Sequence, residues 1–230
     1  MRSAALFARR AAFYMPLSLA VLAIQWQLFV QTHASTVWMQ VGDAVLDPLI
    51  IVYANILTAA DMRGETQAPG TIVGRGLERL WAVILIDFAL GYLYAGAFFA
   101  QGQDLAGRFL GFLALLLLTT LLMADVFAST EHEVSTLALI PLSFFRSITL
   151  SWQNGNMRRL VWIMAAQIAL IALVEYLTLL LLHRHYSAAQ ANFYAVTPLA
   201  TLLTAPFAVL TTVIYLDCLA RERERLKQAL

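Results

Sequence analysis

The sequence predicts an all-α, polytopic membrane protein. Of its 230 residues, 61% are hydrophobic and 13% are charged, whereas soluble domains average about 45–50% apolar and about 25% charged residues. The apolar residues fall into blocks of about 20, which is the length that an α-helix needs to cross the hydrocarbon core. Lipid offers the backbone no hydrogen-bond partners, so each block is expected to be helical. We therefore expect a single integral membrane domain over residues 1–230.

Six transmembrane helices are predicted. They cover approximately residues 12–30, 37–58, 80–100, 105–127, 160–182 and 193–216. The first is interpreted as a retained helix, because its apolar block is too long for a signal-peptide core and no small-residue cleavage site follows it. In the third, Gly91 and Ala95 form a small-residue pair that predicts close packing against a neighbouring helix.

The basic residues orient these spans. Thirteen of the 15 Lys and Arg residues lie before span one, between spans two and three, between spans four and five, or after span six. Only Arg108 and Arg184 fall on the opposite side. Cytoplasmic loops carry an excess of Lys and Arg, so both termini are predicted to be cytoplasmic.

The connection between spans four and five, residues 129–159, predicts an amphipathic helix at the cytoplasmic membrane surface. Ser129 or Thr130 is a candidate N-cap, and the sequence Asn154-Gly155-Asn156 predicts the turn that ends the helix. Apolar residues throughout the segment are typical of a helix that lies in the membrane interface. The alternative interpretation is a cytoplasmic extension of span four.

Two segments in the second half of the chain, FFRSITLSWQNGNMRRLVWI (144–163) and TAPFAVLTTVIYLDCLARERE (204–224), carry a sequence pattern. Its positions are Arg146, Ser147, Leu150, Asn156, Arg159, Pro206, Thr211, Tyr215, Asp217, Arg221 and Glu222. The pattern resembles the bacterial six-span family around the membrane domain of glycerophosphodiester phosphodiesterases and its uncharacterised relatives. The resemblance implies a multi-pass protein of the bacterial cytoplasmic (inner) membrane. The phosphodiesterase domain itself is absent, so only architecture is implied.

Polar residues inside the predicted spans are the main candidates for function. A charged side chain at the centre of a span costs about 2.5–3.5 kcal/mol on insertion scales. On span two, Asp43, Asp47 and Asn55 share one helical face, which is expected to point away from lipid. The full candidate set of intramembrane residues is Asp43, Asp47, Asn55, Asp87, Arg108 and Glu175.

Two interpretations of this set stay open. In the first, Arg108 bridges spans two and five, and the polar residues form a structural network. In the second, Asp43, Asp47 and Glu175 line a proton or cation path, because one Arg cannot neutralise three carboxylates. Pro48, which follows Asp47, is expected to kink the helix. Transporters build substrate sites from broken helices that carry acidic residues.

No catalytic signature is present, so the chain is predicted not to be an enzyme. One cysteine and no histidine within a span predict no metal site and no cofactor. A net charge of +1 favours no nucleic-acid partner.

The leading hypothesis is a non-enzymatic membrane subunit or scaffold that acts with a protein partner or with membrane lipids. The alternative is a transporter or an ABC-type permease component, whose ATPase would be a separate subunit. Its acidic path would follow span two and Glu175. The cytoplasmic residues predicted to face a partner or lipid are Arg146, Arg158, Arg159, Arg221 and Arg225.

Overall fold

The computed structural model describes residues 2–31, 36–101, 105–131, 136–153, 156–182 and 188–229. Within these ranges the chain is all-α and contains no strand. The helices are α1 (Arg2–Gln31), α2 (Thr36–Arg63), α3 (Pro69–Gln101), α4 (Leu105–Leu121), α5 (Ala124–Thr130), α6 (Thr136–Trp152), α7 (Asn156–Leu182) and α8 (Ala188–Ala229).

Five helical segments within the described residues are long and apolar enough to cross a membrane. They are Ala5–Gln31, Ala44–Arg63, Ala106–Thr130, Asn156–Thr178 and Thr197–Gln228. These segments overlap five of the six predicted spans and indicate a multi-pass membrane protein. The remaining predicted span, 80–100, lies within α3, which is helical over its whole length but is not one of the five segments.

Helix α2 forms the centre of the bundle and contacts α1, α3, α5 and α8. Its two buried faces belong to different clusters. Ile50 and Ala54 pack with Tyr14 of α1 and Val209 of α8, whereas Val52 and Ile56 pack with residues of α3, α5 and α6. The middle of α2 is therefore enclosed on two sides, although it carries polar residues such as Asn55.

Close contact between α2 and α3 depends on Gly76. A Cβ atom at this position would overlap the ring of Tyr53, so a larger residue is excluded unless the ring moves. At Gly91, for which we predicted close packing, no described atom lies within 4 Å of the position that a Cβ atom would occupy. The small residue that allows the two helices to approach is therefore Gly76. Gly91 makes no such close approach to the described residues, and the side chain of Ala95, its partner in the prediction, lies outside them.

The fourth predicted span is interrupted. Helix α4 ends at Leu121, residues 122–123 form a turn, and α5 begins at Ala124. Ser129 and Thr130 lie at the end of α5 and donate hydrogen bonds to the carbonyls four residues earlier, at 2.6 and 2.7 Å. Our prediction that one of them caps the next helix is therefore wrong.

Serine side chains of α6 complete the hydrogen bonding at this interruption. Ser147 Oγ donates to the Thr120 carbonyl at 2.7 Å and accepts from the Met123 N–H at 3.2 Å. Ser151 Oγ donates to the same carbonyl at 2.8 Å. Backbone groups freed by a helix break in lipid need such partners, and α6 supplies them.

Helix α6 turns one polar and one apolar face in opposite directions. Its buried serines, four residues apart, are Ser143, Ser147 and Ser151. Its exposed apolar residues are Leu142, Phe145, Ile148 and Trp152. The serines face the bundle, and the apolar face is the outer one. The helix is therefore amphipathic, but its serines face the bundle and its apolar side chains face outward, the reverse of a helix in a soluble protein.

Candidate functional site

A cavity of about 340 Å³ lies among α2, α3, α4, α5, α7 and α8. Most of its lining is apolar, including Leu90, Leu118, Met164 and Phe207. Its polar and acidic lining residues are Asn55, Asp87, Asp125, Gln167, Thr204 and Thr211. An apolar pocket with a few convergent polar groups is the usual form of a small-molecule site.

Two carboxyl groups face this cavity from different helices. Asp87 lies on α3, and Asp125 lies in the first turn of α5, directly after the helix break. The two groups interact electrostatically. Asp125 Oδ1 is buried and receives no hydrogen bond from any described residue. A buried carboxyl oxygen without a donor is costly, and this one belongs to a residue that lines the cavity.

A fully paired polar network borders the cavity. Asn55 Nδ2 donates to Ser129 Oγ at 3.2 Å, and Thr212 Oγ1 donates to Asn55 Oδ1 at 2.8 Å. Ser129 Oγ in turn donates to the Asp125 carbonyl at 2.6 Å. The network joins α2, α5 and α8, and thereby holds the helix that carries Asp125.

Asp47 lies in a separate polar cluster, outside the residues that line the cavity. Gln25 Nε2 of α1 donates to Asp47 Oδ1 at 3.3 Å, and Thr201 Oγ1 of α8 donates to Gln25 Oε1 at 3.0 Å. The predicted polar face of span two therefore divides. Asp47 joins α1 and α8, and Asn55 borders the cavity on the side of α5.

The predicted bridge through Arg108 involves residues that the structure does not describe. Arg108 is exposed near the start of α4 and forms no ion pair with a carboxylate of a described side chain. The side chains of Asp43 and Glu175, like residues 183–187 with Arg184, lie outside the described residues. The structural network around Arg108 and the path through Glu175 both stay predictions.

Ion pairs join the ends of the helices on the predicted cytoplasmic side. Arg146 of α6 forms a two-pronged pair with Glu222 of α8. Arg159 of α7 and Arg221 of α8 each bond to Asp217 at 2.8 Å. Three of the arginines predicted to face a partner or lipid are thus bound within the chain. The other two, Arg158 and Arg225, are exposed.

Several residues that carry the family resemblance lie together at this end of the bundle, whereas Thr211 lines the central cavity. Leu150 and Tyr215 are buried in one apolar cluster with Cys218. Asn156 Nδ2 donates to the Leu150 carbonyl at 3.0 Å, which closes the turn between α6 and α7. The pattern 144–163 and 204–224 therefore encodes the joint between α6, α7 and α8.

A second cavity, of about 550 Å³, opens at the same end between α2, α7 and α8. Its charged lining residues are Arg63, Arg159, Asp217 and Arg223.

No protein-family model, curated protein or solved structure matches this chain. Among the residues that the structure describes, no group of three potential ligands is suited to a metal ion.

Asp87 and Asn55 of the central cavity are among the residues predicted from the sequence. Asp125 of the same cavity, and Arg63 and Arg223 of the second cavity, are not. Asp125 lies inside the predicted span 105–127, so its ionisable side chain within an apolar block was a detectable signal. The partnership of Asp125 with Asp87 was not detectable, because it depends on how α3 packs against α5.

Proposed function

We propose that this chain is a non-enzymatic, six-span protein of the bacterial cytoplasmic membrane that binds a small organic cation in the central cavity. Its role would be transport, alone or as the membrane subunit of a larger complex. The observation that supports the proposal is that Asp125 lines the cavity and that its buried Oδ1 has no described hydrogen-bond donor. The distribution of arginines supports cytoplasmic termini.

The charge of the cavity favours a cationic occupant. When Asp87 and Asp125 are both ionised, they repel each other strongly, because the cavity between them has a low dielectric constant. A positive group in the cavity beside the two carboxyl groups offsets that repulsion. Such a site takes a cation more favourably than a neutral molecule of the same shape.

The apolar lining favours an organic rather than a hydrated inorganic cation. Leu90, Leu118, Met164 and Phe207 surround the two acids, and hydrated ions make no favourable contact with such side chains. An ammonium group that carries small hydrocarbon substituents satisfies both parts of the lining. The chemical class of the proposed ligand is therefore a small substituted ammonium or amphipathic amine.

A second candidate function is the scaffold or subunit predicted from the sequence. The exposed C-terminal turns of α8 favour it, because residues 223–228 are exposed and contain Arg223, Arg225 and Lys227. A helix that extends beyond the bundle in this way suits contact with a protein partner or with anionic lipid. The two functions are compatible, since they use different parts of α8.

The proposal is tested with benzyltrimethylammonium and its neutral isostere neopentylbenzene, using thermal unfolding of the purified protein in a non-ionic detergent. A ligand that binds only the folded state raises the midpoint temperature. We expect the cation to raise it and the isostere to have little effect. Asp87→Asn and Asp125→Asn should each weaken cation binding by about tenfold or more, because each removes a charge-assisted contact.

Asp47→Asn is the matched control, since it removes an intramembrane carboxylate that does not line the cavity. Its binding constant should equal that of the wild type. Gly91→Leu adds a second test, because Gly91 lines the cavity and has open space around its Cβ position. This variant should fold and lose cation binding. Equal binding of the neutral isostere, or equal losses in all three Asp variants, would contradict the proposal.

A further inference from the structure

The open cavity between α2, α7 and α8 has a net positive lining. Three arginines, Arg63, Arg159 and Arg223, surround it together with one carboxylate, Asp217. They come from the end of α2, the beginning of α7 and the extension of α8. Three chain segments that are distant in sequence thus bring guanidinium groups to one opening of about 550 Å³.

The single carboxylate is already neutralised within the chain. Asp217 Oδ2 accepts from Arg159 and from Arg221, in both cases at 2.8 Å. Arg63 and Arg223 are exposed, and neither forms an ion pair with a carboxylate of a described residue. The positive charge of these two side chains is therefore available to an anion from outside the protein.

The remainder of the lining is apolar. Met62 of α2 and a row of α8 residues that includes Ile214 and Leu219 lie beside the arginines. Guanidinium groups bind phosphate oxygens in a two-pronged geometry, and the apolar row suits a hydrocarbon chain. A free phosphate would use only half of this lining, whereas an anionic phospholipid uses both halves.

We propose that this cavity binds an anionic phospholipid. Arg63 and Arg223 contact the headgroup phosphate, Arg159 stays anchored to Asp217 at its edge, and an acyl chain follows the apolar row of α8. Basic pockets between membrane helices on the cytoplasmic side are suited to such headgroups. The site is separate from the central cavity, so this inference does not depend on the proposed cation binding.

The experiment uses the full chain reconstituted in nanodiscs of phosphatidylcholine with a minor fraction of phosphatidylglycerol. After transfer to a neutral detergent, native mass spectrometry counts the phospholipids that remain bound. We expect one phosphatidylglycerol to be retained in preference to phosphatidylcholine. The double variant Arg63→Gln, Arg223→Gln should reduce that retention by about tenfold or more.

The control is the double variant Arg158→Gln, Arg225→Gln, which removes the same charge from exposed arginines at the same end of the molecule. These residues do not line the cavity, so retention should change less than about twofold. Equal losses in the two double variants would overturn the proposal, since the lipid would then respond to surface charge alone. Displacement of the lipid by soluble glycerol phosphate at equal concentration would overturn it as well, because the site would then recognise only the phosphate.

Discussion

Two polar groups on α5, one helical turn apart, differ in how their hydrogen bonds are satisfied. Ser129 belongs to a closed network with Asn55 and Thr212, in which every polar side chain has a partner from the chain. Asp125, four residues earlier, lines the cavity and has a buried carboxyl oxygen without a described donor. Ser129 is fully buried, whereas Asp125 is half-buried and lines the cavity.

The paired residues around Asn55 stabilise the bundle, whereas the carboxyl group of Asp125 is a candidate for function. A membrane helix gains about 0.6 kcal/mol on average from a paired interhelical hydrogen bond, so the Asn55 network contributes to stability. An unpaired carboxylate in the same surroundings costs free energy and is retained only where it serves another purpose. Proteins commonly exchange stability for function in this way at their sites.

The largest expected change in stability is at Asp125, the residue with the unpaired carboxyl oxygen. Asp125→Leu replaces a buried carboxylate with an apolar side chain in an apolar lining, and should raise the free energy of unfolding by about 2 kcal/mol. The measurement is thermal or SDS-induced unfolding in mixed micelles. The variant should also lose binding of benzyltrimethylammonium. A decrease in stability would mean that Asp125 has a partner that stabilises the fold. That result would contradict the distinction between Asp125 and the Asn55 network.

A smaller effect is expected where the chain pairs its own backbone groups. The double variant Ser147→Ala, Ser151→Ala leaves the Thr120 carbonyl and the Met123 N–H without their partners at the helix break. We expect the free energy of unfolding to fall by about 1–2 kcal/mol. Thr149→Ala is the matched control, because its hydroxyl bonds only to the Phe145 carbonyl of its own helix. Equal losses in control and double variant would indicate a general effect on α6.

The smallest effect is expected at the centre of the paired network. Asn55→Leu removes one donor and one acceptor, but Thr212 still donates to the Ala208 carbonyl and Ser129 to the Asp125 carbonyl. Stability should therefore fall by only about 1 kcal/mol. Unfolding under the same conditions as for Asp125→Leu gives the comparison directly. The two leucine variants should change stability in opposite directions, and changes of the same sign would remove the distinction between the regions.

Apolar length was sufficient to predict the positions of most spans. It could not predict the interruption of the fourth, because the residues at the turn, Leu122 and Met123, are as apolar as the helices on either side. The partners of the freed backbone groups, Ser147 and Ser151, lie more than twenty residues later in the chain. Serine spacing in 129–159 was visible in the sequence, but its meaning depended on where α6 docks.

The polar residues of the spans could be identified from the sequence, but their partners could not. Helical periodicity predicted that Asp47 and Asn55 share an inward side of α2, and Asn55 is fully buried. It could not show that their neighbours belong to different helices, with Gln25 beside Asp47 and Ser129 beside Asn55. Pairing across helices depends on crossing angles and depth, which a single sequence does not specify.

The hydrogen bonds from α6 to the helix break also have a consequence for the order of biogenesis. Ribosomal synthesis is vectorial, so the acceptor carbonyl of Thr120 leaves the ribosome before Ser147 and Ser151, which donate to it. Until α6 follows, the backbone groups at the break lack the partners that a helix break in lipid needs. Release of this region into the bilayer is thereby linked to completion of the following segment, so that a chain truncated before α6 should be a substrate for membrane proteases.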